Sequence, residues 1–194
     1  GAKNGIMFKT AVSLEETGKM QIVALDKTGT ITSGEPRVTD VLPAEGVPEE
    51  ELLYEAGILE QKSEHPLAKA VLAYVKEQSG AKEQSGGKRA SVADGASGEE
   101  DGLEDMLTDF MALPGNGLTG VRDGRRLYGG NLIFIEQYVK VSDATKQQAE
   151  QLAMQGKTPL FFAKDEKLLG VIAVADVIKE DSPQAVRELQ GMGI

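Results

Sequence analysis

The sequence predicts a mixed α/β (α+β) protein, because three patterns occur together in the chain. The apolar run 22–25 shows no polar alternation, which is typical of a strand buried on both faces of a parallel sheet. Apolar residues recur at helical spacing over 48–63 and again over 66–75. Paired apolar segments around turn residues at 121–128 and 159–175 predict antiparallel hairpins. Since both kinds of strand accompany helices, we expect two architectures in one chain.

These architectures divide the chain into a central lobe and a flanking lobe. The central lobe, an antiparallel sheet with helices, covers about residues 32–168. We expect the flanking pieces, 1–31 and 169–194, to belong to an open α/β domain. Within the central lobe, residues 77–104 are rich in Gly, Ser, Ala and acidic residues. Such a composition buries little apolar surface, so we expect a mobile excursion there.

The first part of the chain predicts short elements. Residues 6–8 favour a short strand, and residues 13–17 favour a helical turn that ends at Gly18. The Gly-Glu-Pro sequence at 34–36 indicates a hinge into the central lobe. Residues 37–42 alternate between polar and apolar, as a strand with one solvated face does.

The later part of the central lobe predicts strands and capped helices. Residues 106–113 favour a strand, and the next hairpin turns at Asp123 and Gly124. A helix follows Asn131 through Val139, and another is capped by Ser142. The last predicted helix starts at Pro183, with Asp181 or Ser182 as its cap.

Composition excludes several classes of function. The chain has 194 residues and a net charge of −10, which argues against nucleic acid or an anionic membrane surface as partner. It has no cysteine and one histidine, too few ligands for a copper(I) or zinc site. No segment approaches the ~18 consecutive apolar residues of a membrane span, so we expect this part of the chain to be soluble.

The pentapeptide Asp26-Lys27-Thr28-Gly29-Thr30 directly follows the predicted parallel strand. Open α/β sheets carry their chemistry just past the carboxyl ends of such strands. The amides of a Gly-containing turn can face phosphate oxygens, and a carboxylate can attack a phosphoryl group to form an aspartyl phosphate. We therefore predict a phosphorylation site at Asp26. The alternative is a solvated Asp-Lys turn after a strand.

The quartet Ser63-Glu64-His65-Pro66 is the second candidate site. If Pro66 is the first helical residue, His65 occupies the N-cap, where the helix dipole disfavours a protonated ring. A neutral ring can stack on a purine, and Glu64 can accept a hydrogen bond from an exocyclic amine. The alternative is a surface histidine before a proline that starts a helix.

Two glycine motifs and a charged segment complete the candidate residues. The loop at Gly115 and Gly117 and the pair Gly130 and Asn131 lie at predicted turns. Glycine serves any tight turn, so these motifs are weak evidence of a ligand by themselves. The segment 176–179, which begins with an Asp and ends with a Lys, follows the last predicted strand. An ordinary charged loop explains that segment equally well.

Together the motifs resemble those of a known family. The pentapeptide at 26–30 resembles the phosphorylation signature of P-type ATPases, ion pumps that cycle through a phosphoaspartate. Residues 63–66 resemble the Ser-Glu-His-Pro signature of the heavy-metal-transporting (P1B) subfamily, whose Glu and His contact adenine. That subfamily also has a Gly-x-Gly loop and a Gly-Asn pair beside the nucleotide, and a charged return hinge. The matching positions are Gly115, Gly117, Gly130, Asn131, Asp176 and Lys179.

The resemblance implies a fold, two cofactors and a role for each residue. The fold would be an antiparallel-sheet nucleotide-binding domain inserted into an incomplete haloacid-dehalogenase-like Rossmannoid phosphorylation domain. Glu64 and His65 would hold the adenine of ATP. Asp26 would receive the γ-phosphate, with Mg²⁺ bridging and the Thr28 carbonyl as one metal ligand. Thr30 would donate a hydrogen bond to the phosphate, and Lys27 belongs to the same signature.

One departure separates this chain from a related class of enzymes. Phosphatases of the wider haloacid-dehalogenase superfamily usually carry a second Asp two residues after the nucleophile. That position is Thr28 here, which cannot act as a general acid or base near neutral pH. A phosphatase remains the alternative, but a phosphoenzyme without that base should persist, as a pump requires.

The resemblance covers the whole chain but only the middle of a pump. Since a further Gly-Asp-Gly-x-x-Asn-Asp stretch would complete the magnesium site, we expect this chain to bind ATP without turnover. We expect the full-length protein to place this region at the cytoplasmic face of a membrane. Copper(I) is the favoured transported ion on overall resemblance, although zinc and cadmium pumps share these motifs.

Overall fold

A computed structural model describes residues 5–84 and 107–194 of the chain. We number the helices and strands in chain order. The helices are α1 (Ala11–Thr17), α2 (Glu49–Glu60), α3 (Pro66–Gln84), α4 (Leu132–Ile135), α5 (Asp143–Met154) and α6 (Ser182–Gly191). The strands are β1 (Thr32–Pro43), β2 (Thr108–Leu113), β3 (Gly117–Arg122), β4 (Arg125–Gly130), β5 (Thr158–Lys164) and β6 (Lys167–Ile178).

The chain separates into two compact units. The central unit is Glu35–Asp176, and the flanking unit contains the residues up to Gly34 together with Val177–Ile194. The first division lies close to the boundary predicted at residue 31. The second lies after residue 176, because β6 continues without a break through the predicted boundary at 168.

The six strands form one sheet in the order β1-β6-β5-β4-β3-β2. The strands from β2 to β6 pair antiparallel with their neighbours in that order, which confirms the predicted mixed α/β architecture with an antiparallel sheet. Asp123 and Gly124 turn the β3–β4 hairpin with φ of 50° and 74°, as a two-residue type I′ turn requires. Both predicted hairpins are present.

Helices cover both faces of this sheet. Successive residues of a strand point to opposite faces, so Phe162 and Ile172 join a cluster with α2 and α3. Phe161 and Val171 join a second cluster with α4 and α5. The central unit therefore has two apolar layers, one on each face of the sheet.

An ionic cluster lies beside the first layer. The side chain of Glu55 on α2 is 4% exposed and forms ion pairs with Arg122 at 2.9 Å and Lys164 at 2.5 Å. The Arg122 guanidinium also lies over the ring of Tyr54, 4.6 Å from its centroid. A buried carboxylate requires such partners, and they come from β3 and β5.

The flanking unit differs from its prediction. Residues 22–25 form no strand, and Ile22 is 86% exposed; residues 6–8 form no strand either. A buried parallel strand needs hydrogen-bonded neighbours and covering layers, and the described residues of this unit supply none to 22–25. The predicted helical turn is present as α1, which Thr10 caps by accepting a hydrogen bond from the Ser13 amide.

Three predicted elements have different lengths in the structure. The first eight residues of the predicted excursion at 77–104 continue α3, and the rest lie outside the described residues. The helix predicted through Val139 ends at Ile135. Pro48 is the N-cap of α2 rather than its first residue. No helix in the described ranges is long and apolar enough to cross a membrane.

Candidate functional site

The central unit contains a pocket of about 520 Å³. It lies between the turn that joins α2 to α3 and the loops at the ends of β2, β3 and β4. All six residues predicted to bind nucleotide line it: Glu64, His65, Gly115, Gly117, Gly130 and Asn131. Its volume is typical of small-molecule sites. The fold thus brings together three motifs that are far apart in the chain.

His65 is the N-cap of α3. Its Nδ1 accepts a hydrogen bond from the Leu67 amide at 3.2 Å, which is the first amide of the helix because Pro66 has none. This bond uses the Nδ1 lone pair and leaves Nε2 to carry the ring proton. The side chain is exposed and its ring orientation is held by the cap. A flat ring in a fixed orientation at a pocket wall is suited to stacking on a base.

Ser63 organises the turn before His65. Its hydroxyl oxygen accepts a hydrogen bond from the His65 amide at 3.3 Å, and its own amide donates to the Glu60 carbonyl at 2.9 Å. The hydroxyl also lowers the pKa of the Glu60 carboxyl group, although less than burial raises it. The turn is therefore tied to the last residue of α2.

Glu60 is a pocket residue that the sequence patterns did not single out. It is 5% exposed, and burial raises its pKa to about 7 although the hydrogen bond with Ser63 acts in the opposite direction. In the sequence it was one polar residue of an amphipathic helix. Glu60 lies in the last turn of α2, where the helix dipole disfavours an anion. That position was the feature of the sequence that could have identified it as an unusual carboxyl group.

The three glycines predicted to bind nucleotide are required at their positions for different structural reasons. Gly115 has a φ of +76° with open space where a side chain would lie, so only its conformation favours glycine. Gly117 and Gly130 are paired across β3 and β4. A Cβ on Gly117 would lie 2.3 Å from the Gly129 carbonyl oxygen, and one on Gly130 would lie 2.5 Å from that of Asn116. Close backbone approach therefore requires both of these glycines.

Asn131 connects β4, α4 and the glycine loop. Its Oδ1 accepts a hydrogen bond from the Phe134 amide at 2.9 Å and so caps α4. Its Nδ2 donates to the Gly115 carbonyl at 3.1 Å, and its backbone amide donates to the Asn116 carbonyl at 3.1 Å. The side chain predicted to contact nucleotide thus also contacts the loop.

The remaining pocket wall is largely apolar. It includes Leu67, Ala68, Leu113, Leu118 and Leu160. A pocket with apolar walls, a few polar groups and exposed glycine backbone has the features of a site for a flat heterocycle with a polar substituent. The residues therefore fit an adenine nucleotide.

The predicted phosphorylation loop, Asp26–Thr30, lies in the flanking unit. Thr28 (φ −76°, ψ 123°) and Gly29 (φ 75°, ψ −12°) form a type II turn, which requires Gly29 at its third position. Asp26 is exposed at the start of this turn, and its side chain makes no capping hydrogen bond. Lys27 and Thr30 are also exposed.

Two side chains bond this loop, and a third bonds Ile31 directly after it. The Thr32 hydroxyl donates to the Lys27 carbonyl at 3.0 Å. The Lys179 ammonium donates to the Gly29 carbonyl at 2.9 Å, and the Ser182 hydroxyl donates to the Ile31 carbonyl at 2.8 Å. The predicted hinge residue Lys179 therefore contacts the predicted phosphorylation loop. Asp176 is half-buried near the end of β6.

The predicted phosphorylation loop offers part of the ligand set of a magnesium site. Within the described ranges, no three His, Cys, Asp or Glu side chains are grouped as metal ligands. Magnesium usually takes one or two carboxylates and completes its shell with water and substrate phosphates. The exposed Asp26 carboxylate and the Thr28 carbonyl suit such a partial site.

Residues 20–194 match the haloacid dehalogenase-like hydrolase family. The chain belongs to this family. This haloacid dehalogenase-like chain is 40% identical over its whole length to a probable copper-importing P-type ATPase A of Enterococcus hirae, and covers 23% of that protein. It is 31% identical to a probable cadmium-transporting ATPase of Listeria monocytogenes, and covers 25% of it. The predicted resemblance to heavy-metal P-type ATPases is confirmed.

A solved structure is similar over nearly all of this haloacid dehalogenase-like chain. The crystal structure of a zinc-transporting PIB-type ATPase in the E2.Pi state matches 99% of the chain with a TM-score of 0.77 and 29% identity. The match covers 27% of that protein. The chain therefore spans about a quarter of the length of these two curated relatives and of this solved structure.

Proposed function

We propose that this chain is the ATP-binding and phosphorylation region of a heavy-metal-transporting P-type ATPase. The convergence of three separate motifs on one pocket carries this proposal. The nucleotide-binding domain, predicted over 32–168, corresponds to the central unit. The flanking unit, predicted as the pieces 1–31 and 169–194 but beginning its second piece at Val177, belongs to the phosphorylation domain. Asp176 and Lys179 lie at the return hinge between the two.

In the pocket, the base of ATP stacks on the ring of His65. Glu60 and Glu64 are the two carboxyl groups available to its exocyclic amine, and Glu60 is the more deeply buried of the two. The backbone at Gly115 and Gly117 lies beside the rest of the nucleotide. Gly130 at the end of β4 and Asn131 at the start of α4 lie beside the nucleotide as well.

In the intact protein, the carboxylate of Asp26 attacks the γ-phosphorus of ATP, and ADP is the leaving group. We expect this chain by itself to bind ATP without turnover. Because carboxylate and triphosphate repel each other, a Mg²⁺ ion held by the Asp26 carboxylate and the Thr28 carbonyl would supply charge neutralisation. The hydroxyl of Thr30 would donate a hydrogen bond to the phosphate. Lys27 supplies a positive charge in the same turn, and Thr28 offers no acid or base for the phosphatase reaction.

The identity of the transported ion is a property of the whole protein. Copper(I) is the favoured ion, since a probable copper-importing relative is 40% identical to this chain, although cadmium and zinc transporters are also similar. We propose that the intact protein is a membrane pump with this region on the cytoplasmic side. This region itself binds ATP and Mg²⁺ and is not the site of ion binding.

Nucleotide titration tests the proposal. We expect ATP and ADP to bind in calorimetry and GTP to bind more weakly. The variant His65→Asn keeps a cap acceptor for α3 but removes the ring, so it should lose about 1–3 kcal/mol of ATP binding, the worth of one stacked base. Its thermal stability should stay near that of the unchanged chain, which separates stacking from capping.

The exposed Lys69, which lies on α3 outside the pocket lining, supplies the control. Lys69→Ala should bind ATP as the unchanged chain does. Binding that is indifferent to the base and to His65 would contradict the proposal. The quartet at 63–66 would then be an ordinary helix start.

A further inference from the structure

The peptide group between Gly115 and Asn116 is held at both ends. Its carbonyl oxygen accepts the hydrogen bond from Asn131 Nδ2 at 3.1 Å, and its amide donates to the Leu113 carbonyl at 3.0 Å. The second bond closes a turn with Pro114 and then Gly115 at positive φ, the pattern of a type II turn. Only the first bond depends on a side chain.

The Asn131 amide has a defined orientation. One of its contacts is a backbone N–H and the other is a backbone carbonyl, so Oδ1 and Nδ2 cannot be exchanged without losing both bonds. The side chain therefore links the start of α4 to the glycine loop. Phe134, whose amide donates to the capping oxygen, belongs to the second apolar layer, so the link is anchored in the core.

We infer that Asn131 is a positioning residue, which holds the Gly115–Asn116 peptide in its binding geometry before a nucleotide enters the pocket. This inference rests on the proposed nucleotide-binding function and assigns a different role from direct contact. A loop with two glycines within three residues loses much conformational freedom when it is ordered. A side chain that orders the loop in the free protein reduces that loss on binding.

The variant Asn131→Ser isolates this link. Serine is a favoured N-cap residue, so α4 keeps its cap, but the side chain is too short to reach the Gly115 carbonyl and adds no charge. In the free variant, we expect the Asn116 amide to exchange its hydrogen several-fold faster. We also expect the dissociation constant for adenosine to rise about three- to tenfold, as for the loss of one hydrogen bond. Adenosine is the probe because it carries no phosphate charge.

The control is Ser142→Ala. It removes the cap of α5, which does not line the pocket, so thermal stability should fall without a change in Asn116 exchange or adenosine affinity. Unchanged Asn116 exchange in Asn131→Ser would overturn the inference, and weaker binding with unchanged exchange would identify a direct contact. Faster exchange with unchanged affinity would also overturn it. If the unchanged chain binds no adenosine or ATP, the proposed function itself fails.

Discussion

Glu60 is an ionisable side chain inside a binding pocket. Burial raises its pKa to about 7 from an ordinary value of 4.5, so at intermediate pH the folded protein holds a proton that the unfolded chain has lost. Stability from this carboxyl is therefore greatest at low pH and is lost as the pH rises from the unfolded towards the folded pKa. Glu60 also lies beside Ser63 and the cap residue His65, so its charge state matters for the pocket wall.

We predict that Glu60→Gln removes this pH dependence. At pH 5 the buried group is neutral in both folded proteins, and their free energies of unfolding should differ by less than about 1 kcal/mol. At pH 8 only the unchanged chain buries a charge, so the variant should be more stable by up to about 3 kcal/mol. Urea unfolding at the two pH values measures this difference. The exposed Glu166 supplies the control, and an equal effect of Glu60→Gln at both pH values would refute the prediction.

At the scale of elements, the start of β3 and the end of β4 approach each other closely at the open end of their hairpin, and this end forms part of the pocket wall. Gly117 and Gly130 face each other there, and a Cβ on either would lie 2.3 or 2.5 Å from a backbone oxygen, which leaves no room for a side chain. Gly117 and Gly130, which match the nucleotide-binding motifs of the family, are thus also needed for the two strands to pack closely. Gly115 differs, because nothing lies within 4 Å of its Cβ position.

Alanine substitutions should separate these two reasons for glycine. Gly130→Ala forces backbone apart and should lower the free energy of unfolding by about 3 kcal/mol, at the upper end of overpacking effects. Gly115→Ala adds only the strain of a positive φ, about 1–2 kcal/mol. Gly46 has a φ of +73° and open surroundings outside the pocket, so Gly46→Ala is the matched control in the same urea experiment. If Gly130→Ala lowered the free energy of unfolding no more than Gly46→Ala does, the result would show that the two strands separate easily.

For the whole molecule, burial is divided unevenly between the two units. All buried apolar residues of the described ranges lie between Val47 and Val174, inside the central unit. In the flanking unit, the buried residues are the polar Thr32 and Ser182, and Met7, Ile22 and Met192 are strongly exposed. Since apolar burial is the main source of stability, the central unit supplies most of it.

Hydrogen exchange of the complete chain should show this division. Amides of β5 and β6 in the central unit should exchange only through global unfolding, because they lie between two apolar layers. Amides of α1 and of residues 22–25 should exchange faster by several orders of magnitude, through local opening. Mass spectrometry of peptides from both units measures the difference. Comparable protection of 22–25 and β5 would mean that the flanking unit is stabilised by something other than apolar burial.

Local patterns were sufficient for elements whose contacts are close in sequence. The caps at Thr10 and Ser142 bond amides three residues away, and the Asp123–Gly124 turn needs only its own backbone angles. The helices, the hairpins and the alternation of the sheet were therefore predictable. So was the N-cap position of His65, because Pro66 marks the start of its helix.

Contacts between distant segments decided the rest. The apolar run 22–25 has the composition of a buried strand, yet such a strand forms only when it pairs with a neighbouring strand, and the described residues provide no partner for it. Glu55 and Glu60 look alike in an amphipathic helix, but one meets Arg122 and Lys164 whereas the other is buried without a cation partner among the described residues. Sequence periodicity records which face of an element is apolar. The charges, backbone atoms and side chains that meet this face come from elsewhere in the chain, and only folding brings them together.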